Sequence, residues 1–200
     1  MGKFENRLKG RVNDNPEWQD LRADASTHTL QTIDYQHHEI HSGSMYRVQH
    51  NSASVGAGNS INITFKTDAT KEPHFVFEWV VSAKGTIELI EDPDVTMESG
   101  TDVAPKNSNR NSTKTSTLQG CENAAWTAGY VTTDATVANG TTISVKKAYA
   151  AKGDTTQGSR RNEIVLATDT PYTLKYTNND TSAASCQVRC EWYEHTNRSS

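Results

Sequence analysis

From about residue 43 onward the side chains follow a period of two, broken every few residues by turn chemistry, and that pattern admits few folds. Tyr46, Val48 and His50 alternate with Arg47 and Gln49, and Ile61, Ile63 and Phe65 alternate with Asn62, Thr64 and Lys66. Phe75, Phe77, Trp79 and Val81 make the strongest strand signal of the chain. Between these runs lie Gly56-Ala57-Gly58-Asn59, which reads as a hairpin turn, and Asp68-Ala69-Thr70-Lys71-Glu72-Pro73. A strand over residues 86–91 is stopped by Asp92-Pro93-Asp94, and residues 113–118, 141–148, 162–167, 172–176 and 185–193 are further candidates. About nine short strands separated by Gly, Asn, Asp, Ser and Thr predict an all-β fold, a β-sandwich or jelly roll. A chain of 200 residues suits one such domain.

Residues 1–42 read differently. Phe4, Leu8 and Val12 are spaced four apart among charged residues, and Asn15-Pro16-Glu17-Trp18 supplies a cap, a first-turn proline and an acid for a second short helix carrying Trp18, Leu21 and Ala25. Neither segment is long enough to hold a helix in water without packing. The expectation is a short, partly helical N-terminal arm over 1–42 that docks on its own domain, a sister subunit or a larger assembly, with the sandwich over 43–200. Phe4, Leu8, Trp18 and Leu21 are the arm's candidate anchoring residues.

Charge and composition exclude several classes. The formal net charge is -4, so no general basic surface exists to neutralise a phosphate backbone, and a nucleic-acid partner is not expected. Mean hydropathy is -0.75, yet the apolar residues are gathered in short runs, which argues for half-buried strands over disorder. The start Met1-Gly2-Lys3-Phe4-Glu5-Asn6-Arg7-Leu8 has charges where a secretory signal needs an apolar core, and no stretch is long and apolar enough to span a bilayer. Synthesis in the cytoplasm without membrane association is therefore expected. Cys121, Cys186 and Cys190 are an odd, sparse set that suits a reducing compartment. Cys186, Val188, Cys190 and Trp192 alternate with polar residues as one side of a strand, which holds the two thiols ~13 Å apart and predicts buried structural cysteines, not a metal site.

Few constellations suggest chemistry. His37-His38-Glu39-Ile40-His41 offers imidazoles four apart with a carboxylate, a ligand set only if the segment is helical; it lacks the spacing of the zinc-protease helix. In a strand, His37, Glu39 and His41 share one face and His38 and Ile40 the other, which leaves only a loose ligand set; structural polar contacts or a subunit interface are the favoured reading of the cluster, ahead of a metal site. Gly56-Ala57-Gly58 lacks the third glycine of a dinucleotide site, and neither a nucleophile elbow nor a phosphate loop is present. The pairs Glu88 and Glu91, and Asp92 and Asp94, are what surface strands and turns produce routinely. Trp126, Tyr130 and Tyr149 sit in Gly/Ala/Thr-rich context, where they pack under a loop or stack on a sugar. The Asn/Ser/Thr-rich stretch 99–116 is longer than an ordinary loop, which leaves open both a functional loop and an elaborate crossover. No catalytic residue, metal or cofactor is expected, and the chain reads as non-enzymatic.

One run carries a family resemblance. Thr32-Ile33-Asp34-Tyr35-Gln36-His37-His38-Glu39-Ile40-His41-Ser42-Gly43, then a strand, an Ile-x-Ile-x-Phe strand, Pro73-His74-Phe75 and Asn107-Ser108-Asn109-Arg110-Asn111-Ser112, resembles auxiliary virion proteins of tailed bacteriophages, the head decoration, cement and head-fibre-like proteins. The resemblance covers roughly residues 1–120 and leaves the C-terminal third unplaced. It implies a structural protein of the capsid surface, a homotrimer of sandwich subunits that binds the major capsid protein through an N-terminal arm and stabilises the shell. The alternative is a receptor- or glycan-binding module of a tail or fibre, with host glycan as its partner.

Overall fold

The computed structural model describes residues 9–11, 18–20, 35–148, 154–156 and 163–196. The chain divides into two compact units, residues 1–38 and 39–200. In the first, Lys9–Arg11 and Trp18–Asp20 pair as a short antiparallel ladder, with Arg11 opposite Trp18. This corrects the expectation of helix at both places: pairing satisfies backbone groups across the ladder, whereas a two-turn helix closes too few bonds to offset its nucleation. Phe4, Leu8 and Leu21, and the side chain of Trp18, lie outside the described residues.

The helix α1 (Tyr35–Ser42) stops at Gly43 for a local reason. Gly43 has φ +72, its N–H bonds Ile40 O at 3.0 Å and Ser44 N–H bonds Glu39 O at 3.0 Å, the paired closure of a Schellman cap. A side chain at residue 43 is doubly disfavoured, because a Cβ there would fall 2.3 Å from Ser112 Oγ.

Beyond the cap the molecule is an all-β sandwich. Its long strands are β1 (Met45–Val55), β2 (Ser60–Lys66), β3 (Lys71–Val81), β4 (Gly85–Glu91), β5 (Thr141–Ala148), β6 (Pro171–Asn178) and β7 (Ala184–Thr196). One sheet runs in the order Asp154–Thr156, β3, β7, β1, Lys106–Asn107, and Ile164–Val165 joins the other end of β3. The second runs β5, β4, β6, β2 and is extended past β2 by Gln119–Gly120 and Val131–Thr133. Every pairing is antiparallel.

The alternation fixes which side chains face inward. Phe75, Phe77, Trp79 and Val81 on β3, Val188, Cys190 and Trp192 on β7, and Tyr172, Leu174 and Tyr176 on β6 are all buried in one core. The cysteines are buried as expected, and burial pushes the Cys186 thiol up to about 12 and the Cys121 and Cys190 thiols upward. We therefore expect a maleimide to label none of the three in the native protein and all three in denaturant; rapid native labelling would contradict the burial.

Three local expectations are corrected. Gly56-Ala57-Gly58-Asn59 is not a hairpin: it carries the chain from β1 in one sheet to β2 in the other, with Gly58 N–H on Asn178 O at 2.9 Å. Turn chemistry is the same in a hairpin and an arch, and only the pairing partner separates them. Residues 113–118 form no ladder, and the strand sought over 162–167 shrinks to Ile164–Val165.

The connection from β4 to β5 is a long excursion with nested short pairings, Asp94–Val95 with Val137–Ala138 and Thr101–Val103 with Val131–Thr133. It is ordered. Asn107, 8% exposed, donates from Nδ2 to Gly43 O at 2.9 Å and Lys114 O at 3.1 Å, while its Oδ1 accepts from Asn109 N–H. Asn109 repeats the turn toward Asn111, and Lys114 Nζ donates to Ser42 O at 2.9 Å, where a cation suits a helix C-terminus. The Asn-rich run is thus a clamp on the end of α1.

Candidate functional site

The register places cations side by side on the outer face of the first sheet. Arg47 on β1 stands opposite Lys106 of the edge strand, and its next neighbour Gln49 stands opposite Arg189 of β7. By strand alternation Val48 and Cys190 point to the core while Arg47, Gln49 and Arg189 point out. Together with Val103 and Ala104, which pass beside the β1 edge, these residues line an open depression of about 470 Å³. That is within the ordinary size range of small-ligand sites, about 300–1,000 Å³.

The charges of the depression are unequal. Arg189 donates from Nη1 to Glu78 at 3.1 Å and from Nη2 to Glu191, so both neighbouring carboxylates are committed to it. Arg47 and Lys106 are exposed and make no ion pair among the described residues. Three cations against two carboxylates leave a local positive charge on a chain whose net charge is -4. Like charges set directly opposite across a ladder repel, and Arg47 stands between Lys106 on one side and Glu191, which accepts from Arg189, on the other.

A second constellation lies at the other end of the same face. His74 of β3 and Tyr193 of β7 are register partners with rings stacked 4.5 Å apart. Glu163 accepts from the Tyr193 hydroxyl at 2.6 Å and meets His74 Nδ1, while His74 Nε2 and His195 Nε2 are 2.7 Å apart. The two imidazoles hydrogen-bond each other instead of aiming at a common point, and no group of three metal-capable side chains converges among the described residues. The cluster ties residue 163, at the start of the short edge strand, to the end of β7.

The sites sought from sequence are dispersed. The histidine run is helical, and Glu39, buried in α1, lies nearly opposite His37 and His41, which are exposed, as is His38. The strand alternative, with three side chains on one face, is thereby corrected. Glu88 pairs with Lys175 at 3.4 Å on the outside of the second sheet, whereas Glu91 accepts from the core-facing Tyr172 hydroxyl at 3.2 Å. Asp92 is an exposed turn residue with φ +51, and Asp94 accepts from Asn139. Glu88 and Glu91 thus lie on opposite faces of their sheet. Tyr130 is 39% exposed and Trp126 partly buried, both away from the depression, and Tyr149 lies outside the described residues.

Sequence reasoning missed both constellations. Arg47 and Arg189 are legible as outward residues of their strands, but their meeting with Lys106 depends on which strand pairs with which. Among the described residues no helix is long and apolar enough to cross a membrane. Comparison with protein families, characterised proteins and solved structures finds no match.

Proposed function

We propose that this chain is a non-enzymatic structural protein of a tailed-phage particle, a capsid decoration or cement protein. The observation that carries the reading is strand order. Over one sheet it is β1, β7, β3, Asp154–Thr156, and over the other β2, β6, β4, β5, so the chain crosses between sheets at almost every turn. We read this order as the eight-strand pairing of a jelly roll, an architecture of viral capsid domains as well as lectins and cupins. Fold alone does not select among those uses, and the resemblance of residues 1–120 to phage decoration proteins is what favours the capsid.

On this reading the protein binds the major capsid protein, assembles as a homotrimer and anchors through the 1–42 segment, with Phe4, Leu8, Trp18 and Leu21 as contacts. Many weak symmetric contacts then stabilise the shell by mass action. Particles assembled with and without the protein should differ in survival of heating and osmotic shock. Equal survival removes the cementing role, and full occupancy by a Trp18→Ala, Leu21→Ala variant moves the anchor elsewhere.

A second reading, a glycan-binding virion module, is favoured by the open depression bearing Arg47, Gln49, Lys106 and Arg189. Ligand sites combine a few converging polar groups with an apolar floor, here Val103 and Ala104.

A further inference from the structure

We infer that the depression on the outer face of the first sheet is a site for an acidic saccharide, one carrying carboxylate or sulfate groups. The inference rests on the glycan-binding reading and adds the chemistry of the ligand. Arg47 and Lys106 face each other across the ladder and neither makes an ion pair among the described residues, the Glu191 carboxylate opposite Arg47 on β7 being held by Arg189; an anionic oxygen group placed between the two cations would relieve their repulsion. Arg189 is held by Glu78 and Glu191, so its guanidinium is fixed in place and presents its remaining donors with little ordering cost. Gln49 adds an amide that both donates and accepts, the pattern hydroxyl groups require.

The supporting shell is equally specific. Lys106 is positioned by its neighbour Asn107, whose buried amide is bonded to Gly43 O and Lys114 O. Thr132 pairs with Asp102 next to Val103, and Thr132 Oγ1 donates to Asp102 Oδ1, fixing the crossing segment that forms the floor. The cation-bearing side chains thus stand on ordered backbone.

Shape separates a saccharide from an acidic peptide. A peptide added to the β1 edge would run along the strand and read alternate residues over its whole length. The cations here are confined to two adjacent register pairs, Arg47 with Lys106 and Gln49 with Arg189. The lining is a short pit and not a track.

The test is calorimetric titration of the full chain with an oligogalacturonate, a sulfated oligosaccharide, the carboxyl-reduced neutral form of the first, and a poly-glutamate peptide. Saturable binding to at least one acidic saccharide is expected, weakening as salt is raised. Arg47→Ala and Lys106→Ala should each lower that affinity by about tenfold, and the double variant should abolish it, with unchanged thermal melting because both side chains are exposed. The carboxylate and sulfate arms identify the anion. Neutral saccharide binding as tightly, indifferent to both substitutions, overturns the inference and leaves the glycan-binding reading standing. No saccharide binding at all overturns both. Tighter binding of poly-glutamate, lost in the double variant, would assign the depression to a peptide instead.

Discussion

Replacing Glu194 by alanine is expected to destabilise the domain by at least about 3 kcal/mol and to release residues 115–118 from the sandwich. The carboxylate is 3% exposed and lies at the inner end of β7. It accepts from Trp192 Nε1 at 2.9 Å, Thr117 N–H at 2.9 Å, Thr117 Oγ1 at 2.9 Å and Ser116 Oγ at 2.5 Å. Four donors converge on one group, so alanine leaves all of them without the partner at once, each costing about 1–3 kcal/mol where water cannot reach. This is how a chain without a ladder over 113–118 is held in place: the missing strand partner is replaced by a carboxylate. Denaturant unfolding gives the stability, and hydrogen exchange at the Thr117 and Leu118 amides gives the local release. An unchanged midpoint with unchanged protection would show that the four bonds do not hold this segment.

The second large effect is alkaline unfolding. Burial, first of all, pushes the Tyr46, Tyr172 and Tyr176 hydroxyls from 10.0 up to about 12, with Glu194, Glu91 and Cys186 adding to it respectively, and burial raises the Cys186 thiol from 9.0 to about 12. Between those values the unfolded chain has lost protons that the folded chain keeps. Stability from these groups is therefore fully present below pH 9 and falls as pH rises toward 12. Each tyrosine that is ionised in the unfolded chain and still protonated in the folded one lowers stability as pH rises. The geometry agrees with the sign. Tyr46 donates to Thr115 O at 2.9 Å and Tyr172 to Glu91 at 3.2 Å, bonds that a phenolate cannot donate. The Tyr176 hydroxyl is buried with no hydrogen-bond partner among the described residues, which disfavours its charged form. Melting temperature should drop steeply across that range, with tyrosinate absorbance rising together with unfolding and not before it. A flat melting temperature, or tyrosinate appearing in the folded protein, would refute the burial of these phenols.

Both effects concern residues whose side chains face the core, and there the sequence was most legible. The period of two in Phe75 to Val81 and in Cys186 to Trp192 assigned each side chain to a face correctly, because a pleated strand allows only two directions. It also placed Cys186 and Cys190 on the buried side of their strand. The all-β class followed from those alternations and the turns between them. The arm was less legible. Spacing by four over so few residues is compatible with strand as well as helix, and at Lys9–Arg11 and Trp18–Asp20 pairing prevailed.

What the sequence determined by itself is local: which side chains of the strands point inward and where the chain can turn. What only the tertiary structure decided is pairing between distant segments. Gly56 to Asn59 became an arch because β2 found β6 and β1 found β7. Arg47, Lys106 and Arg189 are neighbours because a short edge strand from the excursion happens to join β1, and Glu194 meets Thr117 across 77 positions for the same reason. Alternation sets the direction of a side chain relative to its own strand. It carries no information about which strand lies beside it, and that choice rests on burying the sum of all the apolar faces at once.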